Sequence, residues 1–210
     1  METKTKVVSI MLYILGFFVI ALLLQFIPKS NKGKQQINEQ IGRQDKLNSL
    51  IKDNVLEKSK TYINNDFTKA IVLDEINNKI HLFNINNYQC FSYDFKNIIK
   101  SEVIIDNNTV ISTKRGTQIL GTAVGGMIAG VPGMIIGALS SEKITSQKVK
   151  NIDLKLTLND MNDPIFIINF LSPSNKGFIK DSPQVKNALT SLDRWQGYFN
   201  VILKQQNQVI

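Results

Sequence analysis

The 210-residue chain has one cysteine, Cys90, one histidine, His81, and one tryptophan, Trp195. A single thiol excludes an internal disulfide, and one cysteine with one histidine cannot build the usual zinc cluster. Acidic charge is also scarce: Lys and Arg number 25 against 17 Asp and Glu, a formal net charge of +8. The basic excess flanks an apolar segment and is scattered along expected strands, so nucleic acid is not the partner it points to. Beside a hydrophobic anchor, basic charge suits an anionic lipid surface, where each Lys or Arg contributes about 1 kcal/mol.

Catalytic groupings are missing as well. His81 in "KIHLF" is expected to be a surface or hydrogen-bonded strand residue, and Cys90 beside Phe91 a small packing residue. Asp160 and Asp163 in "NDMND" lack the ligand spacing of a calcium loop and suit a turn. No nucleophile stands near a base and an orienting group, and no Gly-Lys-Ser/Thr ending follows the glycine-rich stretch to make a phosphate loop. The expectation is a protein that is not an enzyme, with no cofactor and no metal.

What the chain does have is two long apolar runs. The first, "VVSIMLYILGFFVIALLLQFI" from Val7 to Ile27, carries no charge and includes Leu12, Phe17, Phe18 and Leu23. As a helix it would reach roughly 30 Å, the thickness of a bilayer core. A cleaved signal would have a shorter apolar centre and small residues after it, and "LLLQFIPKS" has neither; without a following cysteine it is no lipoprotein signal. Residues 1–28 are therefore expected to be a single-pass transmembrane anchor. Lys29, Lys32, Lys34 and Arg43 after it outweigh Lys4, Lys6 and the amino terminus before it, which favours a cytoplasmic bulk.

Residues 29–65 turn to Gln, Asn, Lys and Glu, with Ile37, Ile41, Leu47, Leu50, Ile51, Val55 and Leu56 at spacings of three and four. The pattern predicts a helical connector, better suited to lying on its own domain or on the membrane than to a sustained coiled coil. From Phe67 the period shortens. "FTKAIVLD", "KIHLFNI", "YQCFSYDF", "SEVIID", "TVISTK", "NIDLKLTL" and "PIFIINFL" are seven expected strands, with Asn107 and Asn108 as the positive-φ residues of one hairpin. Last comes one amphipathic helix, with Ser182 as N-cap and Pro183 as its first residue. Its apolar stripe contains Leu189, Leu192, Trp195 and Phe199, all expected in the core.

This order, with "IVLDEINNKIHLF", "YDFKNIIKSEVIID" and "LDRWQGYFNVIL", resembles the bacterial pleckstrin-homology-like (PH-like) family, in members with an N-terminal anchor and a glycine-rich insert. The likeness runs from about Phe67 to Leu203. It implies a mainly β fold with flanking helices: a seven-strand barrel over residues 66–206, capped by the C-terminal helix, and a binding or scaffolding role. In lipid-binding eukaryotic relatives the first hairpin is basic; here it is "LDEINNKI", with Asp74 and Glu75, so phosphoinositide recognition is not expected.

The second apolar run, Thr117 to Ser141, has no charged residue and lies within residues 116–142, between expected strands. A single crossing would put the two halves of one β domain on opposite sides of the membrane, so the chain must double back. Gly121, Gly125, Ala129, Gly133 and Gly137 recur at every fourth position, and Gly126 with Gly130 forms a second row. Small residues at this spacing let helices approach closely in lipid, whereas in water each glycine costs a helix about 1 kcal/mol. Pro132 breaks the run into two arms of about 15 Å each. The expectation is a helical hairpin in contact with the lipid bilayer or with a second copy of the chain; an unidentified protein partner completes the list. Folding back against the domain, or a flexible loop in water, is the alternative.

Overall fold

The computed structural model describes residues 32–55, 60–115 and 147–205. The expected anchor, with Leu12, Phe17, Phe18 and Leu23, and the expected hairpin, from Gly121 through Gly125, Gly126, Ala129, Gly130, Pro132 and Gly133 to Gly137, lie outside the described residues. Among the described residues no helix is long and apolar enough to cross a membrane. The chain divides into two units, residues 1–39 and residues 40–210. In the first, the described residues are the opening turns of helix α1 (Lys32–Asn54), exposed from Gly33 to Glu39.

Among the described residues of the second unit, three antiparallel sheets carry ten strands. The first sheet is a meander in the order β1 (Lys60–Ile63), β2 (Lys69–Asp74), β3 (Lys79–Asn84), β4 (Gln89–Asp94). The second has the order β6-β5-β8-β9, with β5 Ile98–Ile105, β6 Asn108–Lys114, β8 Ile152–Leu158 and β9 Ile165–Leu171. A short ribbon pairs β7 (Lys148–Val149) with β10 (Phe178–Ile179), and α2 (Pro183–Gln205) ends the fold. Strand β1 lies inside the stretch whose spacing suggested only a helical connector. It has four residues, and β7 and β10 have two each. Such lengths are too short to display a period of two.

Burial explains why the strands read as they do. On β8, Ile152, Leu154, Leu156 and Leu158 face inward while the residues between them are half-exposed, so the sequence alternates. On β2 and β3 both faces are covered: Ile71, Leu73, Ile80 and Leu82 join the main core, and Ala70, Val72, Phe83 and Ile85 form a second cluster on the opposite face. Leu47 of α1, fully buried, packs into that second cluster with Leu50, Ile51 and Val55. This is why "KAIVLD" reads as a continuous apolar run. The later part of α1 thus lies on its own domain, and Arg43 Nε donates to the Asp66 carbonyl at 3.0 Å.

The expected barrel needs correction. Among the described residues no strand of the first sheet is hydrogen-bonded to a strand of the second, so the sheets do not close into a barrel. Side chains bridge the seam instead. The Tyr62 hydroxyl donates to the Asn169 carbonyl at 3.0 Å, Lys69 Nζ to the Ile167 carbonyl at 2.7 Å, and Asn64 Nδ2 to Asn169 Oδ1 at 2.9 Å. Tyr62 and Lys69 thus satisfy the Asn169 and Ile167 carbonyls on the edge of β9 without another strand. Tyr62 also stacks on Phe170, with ring centroids 3.9 Å apart.

Two local expectations also shift. The left-handed residues of the β5–β6 turn are Asp106 and Asn107, φ 49° and 67°, one position earlier than the Asn107–Asn108 pair. Pro183 does open α2, and the Ser182 carbonyl accepts from the Lys186 N–H at 3.0 Å, but the buried Ser182 hydroxyl makes no hydrogen bond. The hydroxyl therefore does not cap the helix. The apolar stripe of α2 is buried: Leu189, Leu192, Trp195 and Phe199 are at most 4% exposed.

Candidate functional site: the neck of the glycine-rich insert

Strands β5 and β8 are adjacent and antiparallel, ending with Ile105 opposite Ile152. Everything between them, residues 106–151, is one excursion from a two-strand hairpin. The neck is clamped. The Asp106 N–H donates to the Asn151 carbonyl at 3.2 Å, and Asp106 Oδ1 accepts from the Lys150 N–H at 2.7 Å and the Asn151 N–H at 3.0 Å. The chain on either side of the glycine-rich tract therefore belongs to one sheet, as the doubling-back expectation requires.

From the neck the excursion first runs back along β5 as β6, with Lys114 opposite Lys100. Arg115 then closes β6: its N–H donates to the Ile99 carbonyl at 2.9 Å, and its Nη2 to the Ile98 carbonyl at 2.6 Å. Arg115 is thus six β5 residues from the neck, roughly 20 Å at the usual strand rise. The tract departs at one end of the second sheet, and the chain reappears at the other in β7, which pairs with β10. Gly177, in the turn before β10, has φ 66°, and a Cβ there would lie 3.1 Å from Lys148 Cβ. Only glycine suits both the left-handed backbone and that close approach.

Under β6 lies a polar cluster buried between the second sheet and α2. Ser101 Oγ donates to Gln196 Oε1 at 2.7 Å, and Gln196 Nε2 donates to Thr113 Oγ1 at 3.1 Å and to Asn200 Oδ1 at 3.3 Å. Thr113 Oγ1 donates to Asn200 Oδ1 at 2.6 Å. All four residues are at most 7% exposed. In a core, such a set fixes one register of β6 against the helix, since a slip leaves buried polar atoms unpaired. Sequence reading did not find this cluster; its one local signal is Gln196 and Asn200, four residues apart beside an apolar stripe.

The residues weighed for chemistry are dispersed. His81 is buried on β3, its Nε2 4.0 Å from Asp74 Oδ2 and without a hydrogen bond. Burial pushes the imidazole below its ordinary value, Asp74 opposing and Lys79 adding to the shift. Asp74 is committed to the Asn77 side chain and N–H, which hold its carboxyl low. Half-buried Cys90 packs in the second cluster, and burial pushes its thiol up, away from the reactive thiolate. Asp160 Oδ1 accepts from the N–H groups of Asn162 and Asp163, a turn as expected, and Oδ2 accepts from the Tyr93 hydroxyl at 2.8 Å. Burial, then that bond, pushes Tyr93 up to about 12. Among the described residues no three His, Cys, Asp or Glu side chains are grouped to hold a metal ion.

Residues 59–172, which hold both four-stranded sheets and the apolar excursion on its clamped neck, match a family model described as the glycine zipper containing PH domain. The chain belongs to that family. The matched span of this glycine-zipper PH domain includes β1, at Lys60, and ends after β9. The chain is 30% identical over 154 residues to an immunity protein of Bacillus phage SPbeta, covering 69% of this chain and 75% of that protein. It is also 30% identical over 154 residues to the SPbeta prophage-derived uncharacterized membrane protein YomJ of Bacillus subtilis (strain 168), of which it spans 66%. No solved structure matches it.

Proposed function

We propose that this glycine-zipper PH domain is a membrane-anchored, non-enzymatic scaffolding or sensing protein. Residues 1–28 tether it, residues 29–65 connect it and add the later part of α1 and β1 to the fold, and the domain from 66 to 206 binds a protein partner or the membrane surface. The insert, residues 116–142, enters one leaflet as a hairpin or meets a second copy. The observation that carries this reading is the Asp106–Asn151 neck, which holds both flanks of an uncharged tract in one sheet. The offset between Arg115 and β7 is compatible with a hairpin. Residues 142–147, "EKITSQ", can extend about 20 Å, enough to bring the chain from the hairpin back to the neck. Support for a membrane setting comes from the relative named a membrane protein.

Cysteine accessibility mapping across residues 117–141 in native membranes tests the reading. Labels near the tips of the arms, around Val131, should be shielded from aqueous reagent, and labels at the exposed positions Ile76 and Met161, one on each flank of the insert, should react from the same side. Positions 76 and 161 on opposite faces would sink it. A second reading, a membrane-active effector such as a phage-exclusion protein, is favoured by the relative named an immunity protein. It requires reduced phage plating on expressing cells and dye leakage from vesicles; without leakage, the scaffolding reading stands.

A further inference from the structure

The return end of the insert carries a surface the fold itself does not require. In the ribbon, Val149 and Phe178 are register partners, Val149 fully buried and Phe178 packed against the core. Partners across an antiparallel pair share a face and neighbours alternate, so Lys148, Lys150 and Ile179 project outward. Ile179 is 65% exposed. The preceding turn adds exposed Lys176, brought close to Lys148 by Gly177. Residues 147–151 and 174–182 together hold four lysines and one acid, Asp181. At the adjoining neck, the Asp106 carboxylate is engaged by backbone N–H groups.

We propose that the β7–β10 ribbon is the face by which the domain lies on an anionic lipid leaflet, with Lys150 and Lys176 at the headgroups and Ile179 dipping between them. This rests on the membrane reading above. Lipid is the favoured polyanion because an apolar side chain amid lysines has a place at a headgroup boundary, and because only six residues, 142–147, separate the end of the uncharged tract from the ribbon. The short linker between them keeps the ribbon within about 20 Å of wherever the tract ends. Charge and apolar tip then act together, as stable surface attachment requires.

The test uses the full chain with Cys90→Ser, carrying an environment-sensitive fluorophore on Asn175→Cys beside the ribbon, or on Val131→Cys in the tract. Both are reconstituted in phosphatidylcholine vesicles, with or without phosphatidylglycerol, containing a headgroup-bound quencher. The label at 175 should be quenched only with phosphatidylglycerol. Lys150→Gln with Lys176→Gln should lower the docked-to-free ratio by about fivefold per lysine, roughly 25-fold together, and Ile179→Ser should lower it further. Quenching at 131 without quenching at 175 overturns the ribbon proposal and leaves the insert reading intact. Quenching at 175 without quenching at 131 supports the ribbon and counts against the insert. Equal quenching at 175 in neutral vesicles, or a response at 175 to RNA and not to lipid, overturns the proposal. Lys150, Asn175, Lys176 and Ile179 are exposed and Cys90 is half-exposed, and unchanged Trp195 fluorescence will show that the variants are folded.

Discussion

The clamp at the neck can be weighed by replacing Asp106 alone. Its carboxylate accepts two backbone N–H bonds, one exposed at 2.7 Å and one part-buried at 3.0 Å. Counting the exposed bond at the low end and the part-buried one near the middle of the usual range gives about 2 kcal/mol. Asp106 also sits at φ 49°, where alanine costs about 1 kcal/mol more than glycine. Asp106→Ala should therefore destabilise by about 3 kcal/mol, Asp106→Gly by about 2, and Asp106→Asn, which keeps an acceptor and tolerates the left-handed backbone, by about 1 or less. Urea unfolding of the full chain in detergent micelles reads this directly, because Trp195 is the only tryptophan and is buried in the core. The order Ala, Gly, Asn separates a side-chain clamp from backbone preference. If Gly matches wild type while Ala loses only about 1 kcal/mol, the bonds contribute nothing and the neck is not held by Asp106.

Three further outcomes follow from the same geometry. Gln196→Ala removes the hub joining Ser101, Thr113 and Asn200 and should cost about 2 to 3 kcal/mol in the same urea assay, with faster hydrogen exchange at β6 amides. Gly177→Ala should cost about 1 to 2 kcal/mol, while Asn175→Ala in the same exposed turn should change stability by less than about 0.5 kcal/mol. For His81 the folded value lies below the ordinary 6.5, so the unfolded chain takes up the proton first. Stability is then fully present above pH 6.5 and falls as pH drops below it. His81→Phe should flatten that slope in denaturation measured across the window, and an unchanged slope would show that other groups cause it.

Several elements were legible because their information is local. The alternation of "NIDLKLTL" declares one buried face, and the stripe through Leu189, Leu192, Trp195 and Phe199 declares a helix face, whatever they pack against. The succession of strands and one closing helix was enough to suggest the PH-like family, and the family match agrees. The neck was not legible: Asp106 looks like any turn residue, and its partner Asn151 lies 45 positions away. Nor was the seam, where Tyr62 reaches a carbonyl 107 residues distant. Strand β10 needed its partner β7 to exist at all, since two residues have no period of their own.

By itself, then, the sequence determined which segments are strands long enough to alternate, which form amphipathic helices, and that an uncharged glycine-rich tract interrupts one β domain. Only the tertiary structure decided that the later part of α1 covers the outer face of β2 and β3, that side chains rather than a ladder join the two sheets, and that the excursion leaves and returns through Asp106 and Asn151. The division has a physical cause. Periodicity is a property of neighbouring residues, whereas a hydrogen bond across 45 or 107 positions exists only once the chain's path has brought the two ends together.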